Sequence, residues 1–110
     1  MALGSNNKYV SAADRIAWNS SISVNIVAAT TTYAVLTTDY TINCTANSFT
    51  VTLPTAVGAS GKVYNIKNSG TGFITVATTS SQTIDGATTQ GLNQYEGVTV
   101  QSNGANWIII

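Results

Sequence analysis

Residues 40–54 read Tyr-Thr-Ile-Asn-Cys-Thr-Ala-Asn-Ser-Phe-Thr-Val-Thr-Leu-Pro, and this stretch decides the fold class. Tyr40, Ile42 and Cys44 alternate with Thr41 and Asn43; Phe49, Val51 and Leu53 alternate with Ser48, Thr50 and Thr52. A period of two places the apolar side chains on one face of a pleated strand and the neutral polar ones on the other. Pro54 has no backbone donor to continue a ladder, so it closes the second strand.

The same pattern extends in both directions. Upstream, Ile22, Val24, Ile26 and Ala28 alternate with Ser23, Asn25 and Val27, and residues 33–37 add one more short strand. Downstream of the loop from Thr55 to Gly61, the segments Lys62 to Lys67 and Phe73 to Thr78 flank Asn68-Ser69-Gly70-Thr71-Gly72. That connection is rich in residues that tolerate positive φ, and it predicts a hairpin in which Tyr64 and Ile66 face Ile74 and Val76. A further strand ends at Ile84 before the turn dipeptide Asp85-Gly86. Val98 and Val100 lead through Ser102 to Asn106 into Trp107-Ile108-Ile109-Ile110, a second hairpin. The closing apolar run predicts a strand buried on both faces, or a chain end sealed against a partner. Trp107, opening that run, belongs to the core.

About eight strands with frequent turn signals predict an all-β domain, a small antiparallel β-sandwich or barrel-like fold over residues 22–110. Ala-Thr-Thr recurs at 29, 77 and 87, but the spacings differ and nothing around the triplet repeats. A solenoid is therefore not expected, nor an ice-binding β-helix with Thr-x-Thr at fixed period. Residues 1–21 read as a flexible leader followed by a short N-terminal helix from Ser11 to Asn19, with Ser11 and Asp14 as a weak capping box. Ile16 and Trp18 are two apart and cannot share a helix face, so one of them needs a partner. A neighbouring copy of the chain or the chain's own β-domain could supply it.

Composition removes several functions. The chain of 110 residues carries four Lys plus Arg and four Asp plus Glu, with no His, whereas 40 residues are Thr, Ser or Asn. Four cations at zero net charge form no stripe able to displace counterions from a phosphate backbone, so nucleic acid is not an expected partner. No apolar run approaches the ~20 residues of a membrane span, and membrane insertion is not expected. Without His there is no Ser-His-Asp or Cys-His catalysis and no imidazole metal site. The carboxylates Asp14, Asp39, Asp85 and Glu96 remain. Asp39 sits at an expected turn, Asp85 precedes Gly86, and Asp14 falls in the first turn of the helix. Glycoside hydrolysis by a carboxylate pair needs a walled cleft that so short a chain has little material to build, so an enzyme is not expected. Asp39 and Asp85 belong to no run of alternating acids such as a calcium loop needs, and no cofactor or metal is expected. The single Cys44 reads as a small buried strand residue with no cation beside it to activate the thiol.

The ordered segments TTDYTINC, FTVTLPTA, GKVYNIKNSG, ITVAT, QTIDG and YEGVTVQSNGANWIII, from residue 37 to the end, carry a resemblance. Together they resemble a β-rich module at the distal ends of bacteriophage fibre proteins. That module combines an Asp-Tyr strand, a strand closed by Leu-Pro, a Gly-Lys-hydrophobic-Tyr-x-Ile-Lys segment, a Thr-Ile-Asp-Gly turn and a final Asn-Trp strand. YVSAADRIAWNSS, residues 9–21, looks like the short connectors that precede such modules in fibre shafts. Each piece alone is generic; their order and spacing make the match specific. Fibre proteins of this kind are longer, so the resemblance implies a fragment or terminal domain.

The resemblance also implies a homotrimer, joined to a fibre shaft and exposed on the virion. Ile16, Trp18 and Ile110 are the expected trimer contacts. The expected function is attachment to a host cell surface, through a polysaccharide or another envelope component such as a protein. Neutral hydroxyl and amide groups with aromatic faces suit a sugar. Tyr95 and Phe73, aromatics at loop edges, are the expected ligand contacts. The alternative is a structural virion component, a head fibre, decoration or trimerisation domain without a ligand.

Overall fold

The computed structural model describes residues 23–110; the leader, the short helix, Ile16 and Trp18 lie outside the described residues. Regular structure among the described residues is entirely β: β1 (Ile26–Ala29), β2 (Tyr33–Ala34), β3 (Thr41–Cys44), β4 (Phe49–Thr52), β5 (Val63–Asn68), β6 (Ile74–Ala77), β7 (Thr89–Leu92), β8 (Gly97–Ser102) and β9 (Trp107–Ile109). They form two sheets, one in the order β1-β3-β5-β8-β9 and the other β2-β4-β6-β7. Core residues from both inner faces gather in one cluster that includes Ile42, Cys44, Val51, Tyr64, Ile66, Ile74, Val76, Val100 and Trp107.

The expectation of an antiparallel sandwich is corrected in its topology. β1 pairs with β3 and β3 with β5 in parallel, and so do β2 with β4 and β4 with β6. The first six strands are therefore three stacked coils, each giving one strand to each sheet. Only then does the chain reverse. β7 pairs antiparallel with β6, β8 with β5, and β9 with β8.

The lack of a fixed period speaks against a coiled stack, yet one forms, with coils that differ in length. Fifteen residues separate Ile26 from its partner Thr41, and twenty-four separate Thr41 from its partner Asn65. Unequal corner loops absorb the difference, so the stacking leaves no repeat in the sequence.

Two further expectations are corrected for the same reason. β5 and β6 do not form a hairpin; they lie in different sheets, and residues 69–73 are a corner between them. Tyr64 and Ile66 meet Ile74 and Val76 across the core rather than along a ladder. In β1 the inner face is the opposite of the one the alternation favoured. Pairing Val27 with Ile42 and Ala29 with Cys44 places Val27 and Ala29 in the inward columns, and Ile26 is left 64% exposed. Neighbour register outweighs side-chain apolarity at an edge strand.

Other expectations hold. Cys44 is fully buried, and burial pushes its thiol up to about 11. Trp107 is buried and packs against Tyr64 with ring centroids 5.5 Å apart and planes tilted by 56°. β8 and β9 form the final hairpin. Asp85 and Gly86 both take positive φ between Ile84 and Ala87, which exchange backbone hydrogen bonds across a two-residue turn. The chain's last residues are not buried on both faces: Trp107 points inward while Ile108 and Ile109 are partly open and Ile110 is 62% exposed.

Stacking also explains the scarcity of charge. Thr41, Asn65 and Thr99 are register partners on the outer face of the larger sheet, and the Thr99 hydroxyl donates to Asn65 Oδ1 at 2.7 Å. Like charges in such a column would repel at adjacent-strand distance, whereas neutral donors and acceptors pair.

Candidate functional site

Because the strands alternate between sheets, the loops fall on two opposite edges. One edge gathers residues 30–32, 45–48, 69–73 and 93–96; the other gathers 35–40, 53–62, 78–88 and 103–106.

The first edge brings the expected ligand contacts together. Asn68, fully buried at the end of β5, organises it. Its Nδ2 donates to Gly72 O at 2.7 Å and Leu92 O at 2.9 Å, its Oδ1 accepts from Gly70 N at 3.1 Å, and its backbone carbonyl accepts from Tyr95 N. The corner bearing Phe73 and the turn bearing Tyr95 are thus tied to one residue. The corner also sits directly on the coil below: a Cβ at Gly70 would lie 2.2 Å from the Ala46 carbonyl oxygen, so only glycine permits that approach. Thr71 donates to Asn47 Oδ1, Ser69 to Asn43 Oδ1, and Phe73 N to Ser48 Oγ. The corner at residues 69–73 is accordingly tied to the coil below by neutral amides and hydroxyls.

Tyr95 is 67% exposed and adopts φ +68°. A non-glycine residue in the left-handed region is held there by its surroundings. Here Tyr95 N donates to Asn68 O, and Lys67 Nζ donates to Tyr95 O at 2.5 Å. Glu96 Oε1 closes the turn by accepting from Asn93 N at 2.7 Å. Phe73 is 49% exposed, and the tip of its ring abuts Gly91, where a Cβ would come 2.2 Å from Cζ. Phe73 is thus seated against β7 by its para carbon while about half of its surface stays open.

The opposite edge holds what the sequence did not disclose. Asp39, expected as an ordinary turn residue, is buried. Its Oδ2 accepts from Tyr33 Oη at 2.6 Å and Leu36 N at 2.9 Å, and its Oδ1 from Asn25 Nδ2 at 3.2 Å. The hydrogen bond to Asp39, then burial, then the carboxylate charge push the Tyr33 phenol up to about 12. A phenol raised from its ordinary value of 10.0 stabilises the fold fully below pH 10, and that contribution disappears as pH rises to 12. Tyr33→Phe is expected to cost about 1.5–3 kcal/mol at pH 7, the range for a hydrogen bond to a charged acceptor. Its difference from the parent should shrink between pH 10 and 12 in urea titrations; a constant difference would contradict the assignment.

A cleft of about 380 Å³ lies on this edge, between the loop that follows β4 and the start of β5. Among the described residues no three His, Cys, Asp or Glu side chains gather as a metal site, and no helix is long and apolar enough to cross a membrane.

Comparison with known proteins adds no relative. No family model, curated protein or solved structure matches the chain.

Proposed function

We propose that the chain is a fibre-tip domain of a bacteriophage virion that attaches to the host surface by binding a cell-envelope glycan. In this reading it works outside the cell, as a homotrimer continuous with a fibre shaft. The ordered motifs of residues 37–110 provide the resemblance. The observation that carries the binding role is the pairing of Tyr95 and Phe73 at one loop edge: both present open aromatic surface, and Tyr95 is held there in a conformation that costs free energy. Neutral amides and hydroxyls line the corner that bears Phe73, the partners a sugar needs, while Lys67 and Glu96 flank Tyr95. Three copies would multiply a weak site through effective concentration.

The second reading, a structural virion component without a ligand, is favoured by the open apolar run Ile108, Ile109 and Ile110 at the edge of the larger sheet. The outward backbone groups of β9 are already taken, Trp107 N and O by Thr83 O and Asp85 N and Ile109 N by Asp85 Oδ1, so a second copy would cover these apolar side chains rather than extend the sheet. Ile110 remains the trimer contact in either reading.

Fluorescently labelled protein is expected to decorate host bacteria, and Tyr95→Ala combined with Phe73→Ala to reduce decoration at least tenfold with unchanged circular dichroism and mass. Light scattering at about three times 11.4 kDa is the expected mass. A mass of one chain rejects the trimer, and a trimer that decorates no cells leaves the structural role.

A further inference from the structure

We propose that the cleft on the edge opposite Tyr95 is a second ligand site, one that takes a carboxylate-bearing monosaccharide unit such as a hexuronate. Its volume of about 380 Å³ falls in the range of small-molecule sites, roughly 300–1,000 Å³. Pro54 and Ala59 offer apolar wall, Thr55 and Ser60 offer hydroxyls, and Lys62 brings a positive charge. That combination matches a sugar ring bearing an acid: C–H groups against the apolar wall, ring hydroxyls to the side chains, and carboxylate to the ammonium.

The cleft is built rather than incidental. Two buried polar side chains hold its wall. Gln82 Oε1 accepts from Ala56 N at 2.8 Å and its Nε2 donates to Thr55 Oγ1 at 2.8 Å. Ser102 Oγ donates to Ala56 O at 2.7 Å. Gly61 N bonds to Ser102 O and Lys62 N to Ala59 O, fixing the loop where it enters β5. Burying polar side chains is unfavourable unless they are satisfied, and here they are satisfied by the loop itself. A wall fixed before binding spares a ligand the ordering entropy.

Lys62 decides the ligand's charge. Its Nζ donates to Thr37 O at 2.7 Å and stands 5.3 Å from the centre of the Tyr64 ring. The backbone bond uses one of three N–H donors and leaves the positive charge without neutralisation by its acceptor. An anion placed in the cleft would receive the others. Asp39, also on this edge, already accepts three hydrogen bonds and is buried.

The test is an NMR titration of the intact chain with sodium glucuronate, with glucose as the neutral control and acetate as the charge-only control. Glucuronate should shift the amides of Thr37, Thr55, Ala59, Ser60 and Lys62 saturably, with affinity at least tenfold above both controls. Lys62→Gln should lower that affinity at least tenfold with an otherwise unchanged spectrum, and Lys62→Arg should keep it within about threefold. A trisaccharide ending in glucuronate that binds at least tenfold more tightly assigns the cleft to a glycan terminus; equal affinity assigns it to the free sugar acid. Shifts equal to those with glucose or acetate, shifts scattered over the surface, or indifference to Lys62→Gln would overturn the proposal. Tyr95→Ala should leave this titration unchanged, so failure of host attachment at the other edge and failure here are separate results.

Discussion

Asn68→Ala is expected to lower stability by about 3–5 kcal/mol, on the order of half the total for a domain of this size. The side chain is fully buried and makes three hydrogen bonds, each to backbone, and each in a different part of one loop edge. Removing it leaves the carbonyls of Gly72 and Leu92 and the amide of Gly70 without this partner, at about 1–3 kcal/mol for each group left unsatisfied. Asn68→Asp should be worse at neutral pH, because a carboxylate would then face two carbonyl oxygens. At acid pH the protonated group regains one donor, so the gap between the two variants should narrow. Urea unfolding followed by circular dichroism measures both. A loss below about 1 kcal/mol in Asn68→Ala would mean that the edge does not depend on this residue, and the placement of Tyr95 and Phe73 would need another cause.

Trp107→Ala is expected to cost about 3–5 kcal/mol, the range for removing a buried aromatic from a packed core. That corresponds to a fall in Tm of about 15 °C or more for a domain near 90 residues. Trp107 is the largest fully buried side chain and carries the aromatic contact to Tyr64. Its Nε1 has no hydrogen-bond partner. Trp107→Phe should therefore be far milder, about 1–1.5 kcal/mol, since the lost contacts are partly offset by removing an unsatisfied buried donor. Equal losses in the two variants would show that the indole nitrogen itself stabilises the fold, against its lack of a partner.

What could be read in the sequence was whatever the side chains themselves encode. The alternation around Ile42 and Val51 gave two strands and their buried faces, Pro54 gave the end of one of them, and Trp107 gave a core anchor. Parallel against antiparallel pairing was not legible, because both use the same period of two and differ only in which strand lies alongside. The segment at residues 68–72 has the glycine and asparagine content of a hairpin, and Gly70 is there for close approach to Ala46 instead. β7, Thr-Gln-Gly-Leu, has no alternation to detect; it is a strand because β6 offers it a partner.

The same division holds for the sites. Tyr95 and Phe73 could be singled out as aromatics in loops, but Asn68, which ties them to one edge, looked like a turn residue. The cleft beside Lys62 depends on Thr37, Gln82 and Ser102, which only the stacking of coils brings together. Asp39 likewise acquires its environment from Asn25 and Tyr33 across the first coil.

The reversal of direction after β6 gives the stack a polarity. At the β7 and β9 end, antiparallel strands terminate the coils, so another coil there would have to dislodge them. At the β1 and β2 end, both sheets finish, among the described residues, on strands paired in parallel with their neighbours. A further coil could therefore join by parallel pairing only beside β1 and β2, and the number of coils could vary while the closure by β7, β8 and β9 stays the same.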